Sequence, residues 1–253
     1  MASRPYSTGA LALLAGALLV AAPPVHAQGS GDGFLFRTPA ATLTVHAGFD
    51  HANAGGDVFS FVTDTLTLNR GDFSGFSGGA DLSVRLTPRI DLLLGSAYSG
   101  RSAGSEYRNW TDNSDKPIQQ TTQFQRVPLY AGVKAYLLPQ GRSIGRFVWI
   151  PAQIAPYVGA TGGAMWYRFK QSGDFIDFNT SNLEVFPGDL QSSGWAPMGQ
   201  VLAGADFTLT PRLALTGEAR YSWASATPND GFNGFDSIDL SGPSASLGLT
   251  VRF

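Results

Sequence analysis

The stretch of residues 241–253 reads SGPSASLGLTVRF and is the clearest indication of the fold in this chain. Its apolar residues Leu247, Leu249, Val251 and Phe253 alternate with small or polar ones. A period of two is typical of a β-strand that has one apolar and one polar face. Such a strand needs a hydrogen-bonded neighbour, because an unpaired edge associates with other chains. The rest of the chain must therefore supply a sheet to receive it.

The first 27 residues have the pattern of a secretory signal peptide. A positive charge at Arg4 precedes an apolar run over residues 11–22, and small residues flank a cleavage site before Gln28. The run is too short for a membrane-spanning helix. We therefore predict export with cleavage, the alternative being an N-terminal anchor that stays uncleaved.

The composition excludes several classes of protein. The net charge is −2, and removal of Arg4 with the signal peptide makes the chain more acidic, so nucleic-acid binding is not expected. No cysteine is present, which excludes disulfides and thiolate metal sites. Charged residues make up only 14% of the chain, well below the roughly 25% of ordinary soluble domains. Much of the surface is therefore expected to avoid water.

Eight segments with a period of two follow one another along the chain. We predict strands over residues 42–49, 75–87, 90–100, 122–138, 156–171, 194–210, 213–223 and 241–253. Tight turns follow from Pro88-Arg89 and Pro211-Arg212, because proline fixes φ and cannot donate to a ladder. Polar loops are predicted over residues 50–74, 101–121, 172–193 and 226–239. Residues 139–155 are apolar in the middle and fit either a short interfacial element or a strand extension.

Aromatic residues recur at a fixed distance from the turns. Tyr98, Trp166, Tyr221 and Trp223 lie nine to eleven residues beyond them. On tilted strands that rise about 3.3 Å per residue, this spacing spans roughly 23–28 Å, close to the apolar band of a membrane barrel. These four residues are predicted to form one aromatic girdle, with Phe207 and Phe253 in the opposite one.

A soluble lipocalin-like barrel shows the same alternation with its apolar residues inside. The signal pattern, the low charge, the girdle spacing and the terminal phenylalanine together favour the membrane barrel. VPLYAGVKAYL at 127–137, PYVGA at 156–160 and the final strand resemble strands of small eight-stranded outer-membrane proteins, the OmpA-transmembrane, OmpX and OmpW-like group.

The resemblance implies an all-β fold, an eight-stranded antiparallel transmembrane β-barrel with short periplasmic turns and long extracellular loops. Its expected divisions are a signal peptide (1–27), a short periplasmic N-terminal segment (28–40) and an outer-membrane barrel (41–253). It also implies a monomer in the bacterial outer membrane that contacts membrane lipid and lipopolysaccharide. Leu249, Val251 and Phe253 would be the C-terminal signal read by the barrel assembly machinery.

Charges of both signs fall on the polar face that would line the lumen. They are His46, Asp81, Arg85, Asp91, Arg126, Lys134, Asp206, Glu218, Arg220 and Arg252. Buried charges must be partnered, and eight strands enclose an interior just wide enough for side chains. We therefore predict a network that plugs the lumen, with Glu218 shared between Arg220 and Arg252. A gated polar path is the alternative.

Function is expected to be structural or surface-interacting, and the alternative is a narrow OmpW-like channel for small or hydrophobic solutes. A lipid-modifying or proteolytic enzyme is a distant third, because His46 and His51 lack an identifiable nucleophile and orienting partner. Acidic loops such as that with Asp174, Asp177, Glu184 and Asp189 offer hard oxygen ligands. They lack an EF-hand-like spacing, so neither a metal site nor a cofactor is expected.

Overall fold

The computed structural model describes residues 33–112, 114–176 and 184–253. The predicted signal peptide (1–27) and residues 28–32 of the segment 28–40 lie outside these residues, as do Asn113 and residues 177–183. Within the described ranges, no helix combines the length and the apolar character needed to cross a membrane.

Strands dominate the described chain. They are β1 (Ala41–Asp50), β2 (Gly75–Arg85), β3 (Ile90–Thr111), β4 (Pro117–Tyr136), β5 (Gly141–Ile144), β6 (Val148–Pro151), β7 (Ile154–Ile176), β8 (Val185–Thr208), β9 (Leu213–Ala226), β10 (Ile238–Asp239) and β11 (Gly242–Arg252). Helix α1 spans Asp57–Thr65, and 3₁₀ turns span Arg70–Phe73 and Asp230–Phe232.

Eight of these strands form a closed antiparallel ring in the order β1-β2-β3-β4-β7-β8-β9-β11, and β11 pairs back with β1. The closing seam continues past the strand ends, where the Phe253 and Ala41 amides each donate to the other residue's carbonyl at 3.0 Å. The predicted eight-stranded antiparallel barrel is confirmed. We call the end with the turns at 86–89 and 209–212 the turn end, and the opposite one the loop end.

The ring is apolar outside and polar inside. On β1 and β11, Val45 and Leu249 are 60% and 48% exposed, whereas Thr44 and Thr250 are 4% and 3% exposed. The two inward hydroxyls lie 2.7 Å apart and bond across the seam. This is the reverse of a soluble lipocalin-like barrel, so the low charge content reflects an apolar outer wall.

Two segments predicted as loops are largely strand. β3 and β4 continue through most of 101–121, and β7 and β8 through much of 172–193. These residues are rich in Ser, Thr, Gln and Gly and lack the apolar alternation of a lipid-facing strand, which is why they resembled loops. Hairpin pairing sustains them instead: Ser105 lies opposite Gln120, and Ser172 opposite Asp189.

The open segment 139–155 is a hairpin at the turn end. β5 pairs with β6, and Gly145 turns the chain with φ of +63°, a conformation that favours glycine. Leu35 adds a bridge to the hairpin, since its amide and carbonyl bond those of Trp149 at 2.8 Å. The hairpin therefore lies against the barrel mouth, with Trp149 buried.

Candidate functional site

The barrel interior is filled by three successive layers of side chains. We call them the hairpin layer at the turn end (Arg85, Asp91, Gln140, Trp149 and Arg252), the charge layer in the middle (His46, Asp81, Tyr130, Lys134, Tyr157, Glu218 and Arg220) and the aromatic layer at the loop end (Phe59, Phe73, Phe124, Phe169 and Phe232). Most of these side chains are buried.

Arg220 is the centre of the charge layer. Its guanidinium contacts Asp81, Glu218 and the hydroxyl of Tyr130, so three strands are joined through one cation. The Tyr130 hydroxyl donates in turn to Asp81 at 2.7 Å, and the Arg220 guanidinium lies 5.0 Å from the Tyr130 ring centroid. A Cβ at Gly95 would collide with both Asp81 and Tyr130. The glycine therefore provides the space that this cluster occupies.

Glu218 has a second cation beside it, and that cation is Lys134. The Lys134 Nζ lies 3.6 Å from Glu218 Oε2, and the Tyr157 hydroxyl donates to the same oxygen at 2.7 Å. The prediction that Arg252 shares Glu218 is wrong. The register of β9 and β11 places Ser246 opposite Glu218, whereas Arg252 belongs to the turn end.

His46 completes the charge layer without a hydrogen bond. Its Nε2 lies 3.7 Å from Asp81 Oδ2, and neither buried ring nitrogen has a hydrogen-bond partner in the described part of the chain. A buried polar group without a partner carries a desolvation cost. His46 is therefore the least satisfied member of the layer.

The hairpin layer closes the turn end. Gln140 donates through Nε2 to both Asp91 oxygens at 3.0 Å, and its Oε1 accepts from Arg85. Trp149 lies beneath two cations, with its ring 5.3 Å from the Arg85 guanidinium and 6.0 Å from that of Arg252. Gln140 and Trp149 of segment 139–155 thus contact the charges of Arg85, Asp91 and Arg252. The sequence placed these charges in the lumen but did not identify these contacts.

Asp206 and Arg126 lie on either side of the charge layer. Asp206 accepts from the Tyr136 hydroxyl at 3.0 Å and from Thr216 at 2.7 Å. Toward the loop end, Arg126 Nη2 lies 3.0 Å from Asp50 Oδ1, and its Nη1 donates to the Leu240 carbonyl at 2.8 Å. Each of these charges therefore has a named partner.

The aromatic layer was missed in the sequence. Phe59 of α1 reaches into the barrel, with its ring centroid 4.8 Å from Phe73, 5.2 Å from Phe124 and 5.5 Å from Phe169. Phe232, from the 3₁₀ turn before β10, packs 5.1 Å from Phe169. The available signal was the group of four apolar residues at 58, 59, 61 and 62, inside a predicted loop that is rich in polar residues and glycine.

The residues predicted for the aromatic girdle lie on the outer wall. Trp166 pairs in register with Trp195, and Tyr221 packs 4.8 Å from Trp223. Tyr98 is also exposed. Three further exposed aromatics lie on the outer wall toward the loop end and were overlooked: Phe49, Phe76 and Trp195. Girdle residues were located in the sequence by counting nine to eleven residues forward from a turn. Phe49 and Phe76 could not be found in this way, because neither β1 nor β2 begins at a proline turn.

The arrangement shows little that resembles a catalytic centre. His51 Nδ1 lies 2.9 Å from the Ser74 hydroxyl, but that hydroxyl is buried and also accepts from the Ala52 amide at 3.1 Å. The pair therefore fixes the start of the loop after β1. Across the described ranges, no three His, Asp or Glu side chains are grouped to hold a metal ion.

No family model matches the chain, and neither does any curated protein. Several solved structures are similar to it. Neisserial surface protein A is 14% identical over 88% of this chain and 98% of its own, with a TM-score of 0.43. Outer membrane protein OprG from Pseudomonas aeruginosa is 12% identical over 87% and 99%, with a TM-score of 0.45. Ail, the attachment invasion locus protein of Yersinia pestis, is 11% identical over 85% and 100%, with a TM-score of 0.43. These are small outer-membrane β-barrels, the group that the sequence resembles.

Proposed function

We propose that the chain is an outer-membrane β-barrel with a closed lumen and a structural or surface-interaction role. The observation that carries the proposal is the filling of the interior by three layers from the turn end to the loop end. The turn end would face the periplasm and the loop end the outside. Export would use the signal peptide at 1–27, cleaved before Gln28.

The layers oppose a water-filled path because their charges are already neutralised by one another. Arg220 lies between two carboxylates, and Lys134 lies beside Glu218 and the ring of Tyr157 at 4.5 Å. An ion entering the lumen would have to displace these partners, and breaking a buried pair is strongly unfavourable. The aromatic layer adds an apolar barrier above them.

The long hairpins support the surface role. β7 runs from Trp166 to Ile176 beyond the girdle, which corresponds to a rise of roughly 25 Å on a tilted strand. β3 and β4 extend in the same direction. These walls would present polar faces to lipopolysaccharide or to another cell, with no catalytic role, no metal and no cofactor. The barrel would act as a monomer inserted by the assembly machinery.

Single-channel recording tests the proposal. Residues 28–253 would be refolded, and insertion would be verified by the heat-dependent migration that folded barrels show in a denaturing gel. We expect inserted protein to give no steady conductance steps in planar bilayers. Steady, ion-selective steps from the inserted wild-type protein would contradict the closed lumen and favour the narrow channel.

A further inference from the structure

Two polar rows lie on the outer wall next to the tryptophans, on their loop-end side. In register across β4, β7 and β8, the first row is Gln125, Arg168 and Ser193, and the second is Gln123, Lys170 and Gln191. We call these six residues the headgroup patch. They face outward, because the intervening residues Phe124, Phe169 and Ser192 are buried inside the barrel.

The patch lies at a defined depth relative to the girdle. Trp166 and Trp195 occupy the row before it, and tryptophan rings prefer the boundary between hydrocarbon and headgroups. Two residues along a tilted strand rise roughly 5 Å. Arg168 and Lys170 therefore lie about 5 and 10 Å beyond the tryptophans, which is the depth of lipid headgroups.

The two cations of the patch are held in place. Arg168 donates to Gln191 Oε1 through Nε at 3.0 Å and through Nη2 at 2.7 Å. These bonds orient the planar guanidinium while using two of its five donors. Lys170 Nζ lies 3.3 Å from Asp189 Oδ1. An oriented guanidinium loses less entropy when it binds an anion.

We propose that the headgroup patch binds a phosphate group of a phosphorylated lipid in the outward-facing leaflet. Arg168 would hold the phosphate oxygens, Lys170 would add a second positive charge, and the glutamine and serine side chains would supply further donors. Trp166 and Trp195 would contact the acyl chains of the same lipid. The inference rests on the proposed membrane location and names a ligand class for this wall.

Asp189 opposes the bound phosphate. Hydrogen bonds from Ser172 and Lys170 hold the pKa of its carboxyl below the usual range, so it stays ionised at neutral pH. The local balance is nevertheless positive, with Arg168 and Lys170 against this single carboxylate. The charge of Asp189 thus lowers the affinity of the patch for phosphate, and its removal should strengthen binding.

Lipid retention measures the site directly. The barrel would be refolded in phosphatidylcholine nanodiscs that contain equal amounts of diphosphorylated lipid A and its dephosphorylated counterpart, and retained lipid would be counted by native mass spectrometry. We expect wild-type protein to prefer the phosphorylated lipid by about tenfold, the ratio typical of one charge-assisted hydrogen bond. R168Q/K170Q should fall to near parity, and D189N should exceed wild type.

The matched control removes two cations elsewhere at the loop end. R70Q/K116Q changes the charge equally, and both residues are exposed and outside the patch, so it should keep the wild-type preference. Equal losses in both double variants, or no preference in inserted wild-type protein, would overturn this inference alone. Complete release of the lipid by excess inorganic phosphate would show a site for free phosphate and also overturn it. A chain that does not insert would overturn the proposed function and the inference with it.

Discussion

Phe59 of α1 packs edge-on against Phe169 of β7, with the ring centroids 5.5 Å apart inside the barrel. The loop between β1 and β2 thereby contributes a fully buried side chain to the lumen. The barrel is therefore closed at its loop end by its own connecting segment, and this closure can be tested with single substitutions.

Phe59→Ala should destabilise the barrel by about 3–5 kcal/mol, because it empties a buried site contacted by three other rings. Conductance should stay near zero, since the charge and hairpin layers remain. Phe61→Ala on the same helix is the control and should cost far less, because Phe61 is 50% exposed. Urea unfolding in lipid vesicles and planar-bilayer recording measure the two effects. Similar destabilisation by both variants would mean that Phe59 is not the side chain that seals the barrel.

Glu218→Ala should lower the free energy of unfolding by about 3–5 kcal/mol, because Lys134 is left without its carboxylate in the interior. Arg220 would retain Asp81. Asp189→Asn breaks an exposed ion pair and should leave the unfolding midpoint nearly unchanged. An unchanged midpoint for Glu218→Ala, together with a steady conductance, would indicate a hydrated lumen instead of a plug.

Leu215→Lys should cost about 1–2 kcal/mol, because it places a charge on the exposed apolar wall. This is less than the roughly 2–4 kcal/mol of a charge at the midplane, since Leu215 is only the third residue of β9 and lies near the turn end. Thr216→Ser is the matched neighbour. It keeps the hydroxyl that bonds Asp206 at 2.7 Å and Thr250 at 2.6 Å, so it should be nearly neutral. Refolding titrations compare the two variants, and equal costs would argue against this outer face.

Deletion of Phe253 should impair assembly in cells more than refolding in vitro. The family resemblance implies that the insertion machinery reads this ring together with Leu249 and Val251, whereas purified refolding has no such requirement. Phe207→Ala removes another exposed ring near the same end of the barrel and should assemble normally. The amount of folded barrel in outer-membrane fractions measures the effect. Equal assembly of the truncated and full chains would refute the terminal signal.

The sequence predicted which residues face in and out along the apolar parts of the barrel strands, because a period of two survives there. Leu215 and Thr216 fall on opposite faces as their alternation indicates. It could not assign partners across the lumen, since these depend on the stagger between strands. The sequence placed Arg252 beside Glu218 for this reason, although Arg252 lies six positions along β11 from Ser246, the residue opposite Glu218.

The interior plugs were harder to foresee for a different reason. Phe59 and Trp149 are buried only because a loop and a hairpin fold back onto the barrel, and no local pattern specifies that contact. The strand extensions were missed because a lipid-facing strand can be recognised by alternating apolar residues. A strand whose outer face meets water does not need this pattern. Gln120 and Ser172 belong to such extensions.

The seam between β1 and β11 joins the two ends of the folded domain, and Thr44 bonds Thr250 across it. Every other pair of neighbouring strands in the ring is joined by a hairpin turn or by a connection much shorter than the whole domain. The two strands of such a pair are therefore close in sequence before folding. The seam must instead close a loop that contains almost the whole domain, and the entropy of loop closure rises with length. Pairing at long sequence separation is also the slow step in β-sheet proteins. We therefore expect the hairpins to form first, as a curved open sheet, and the seam between β1 and β11 to close it into a barrel last.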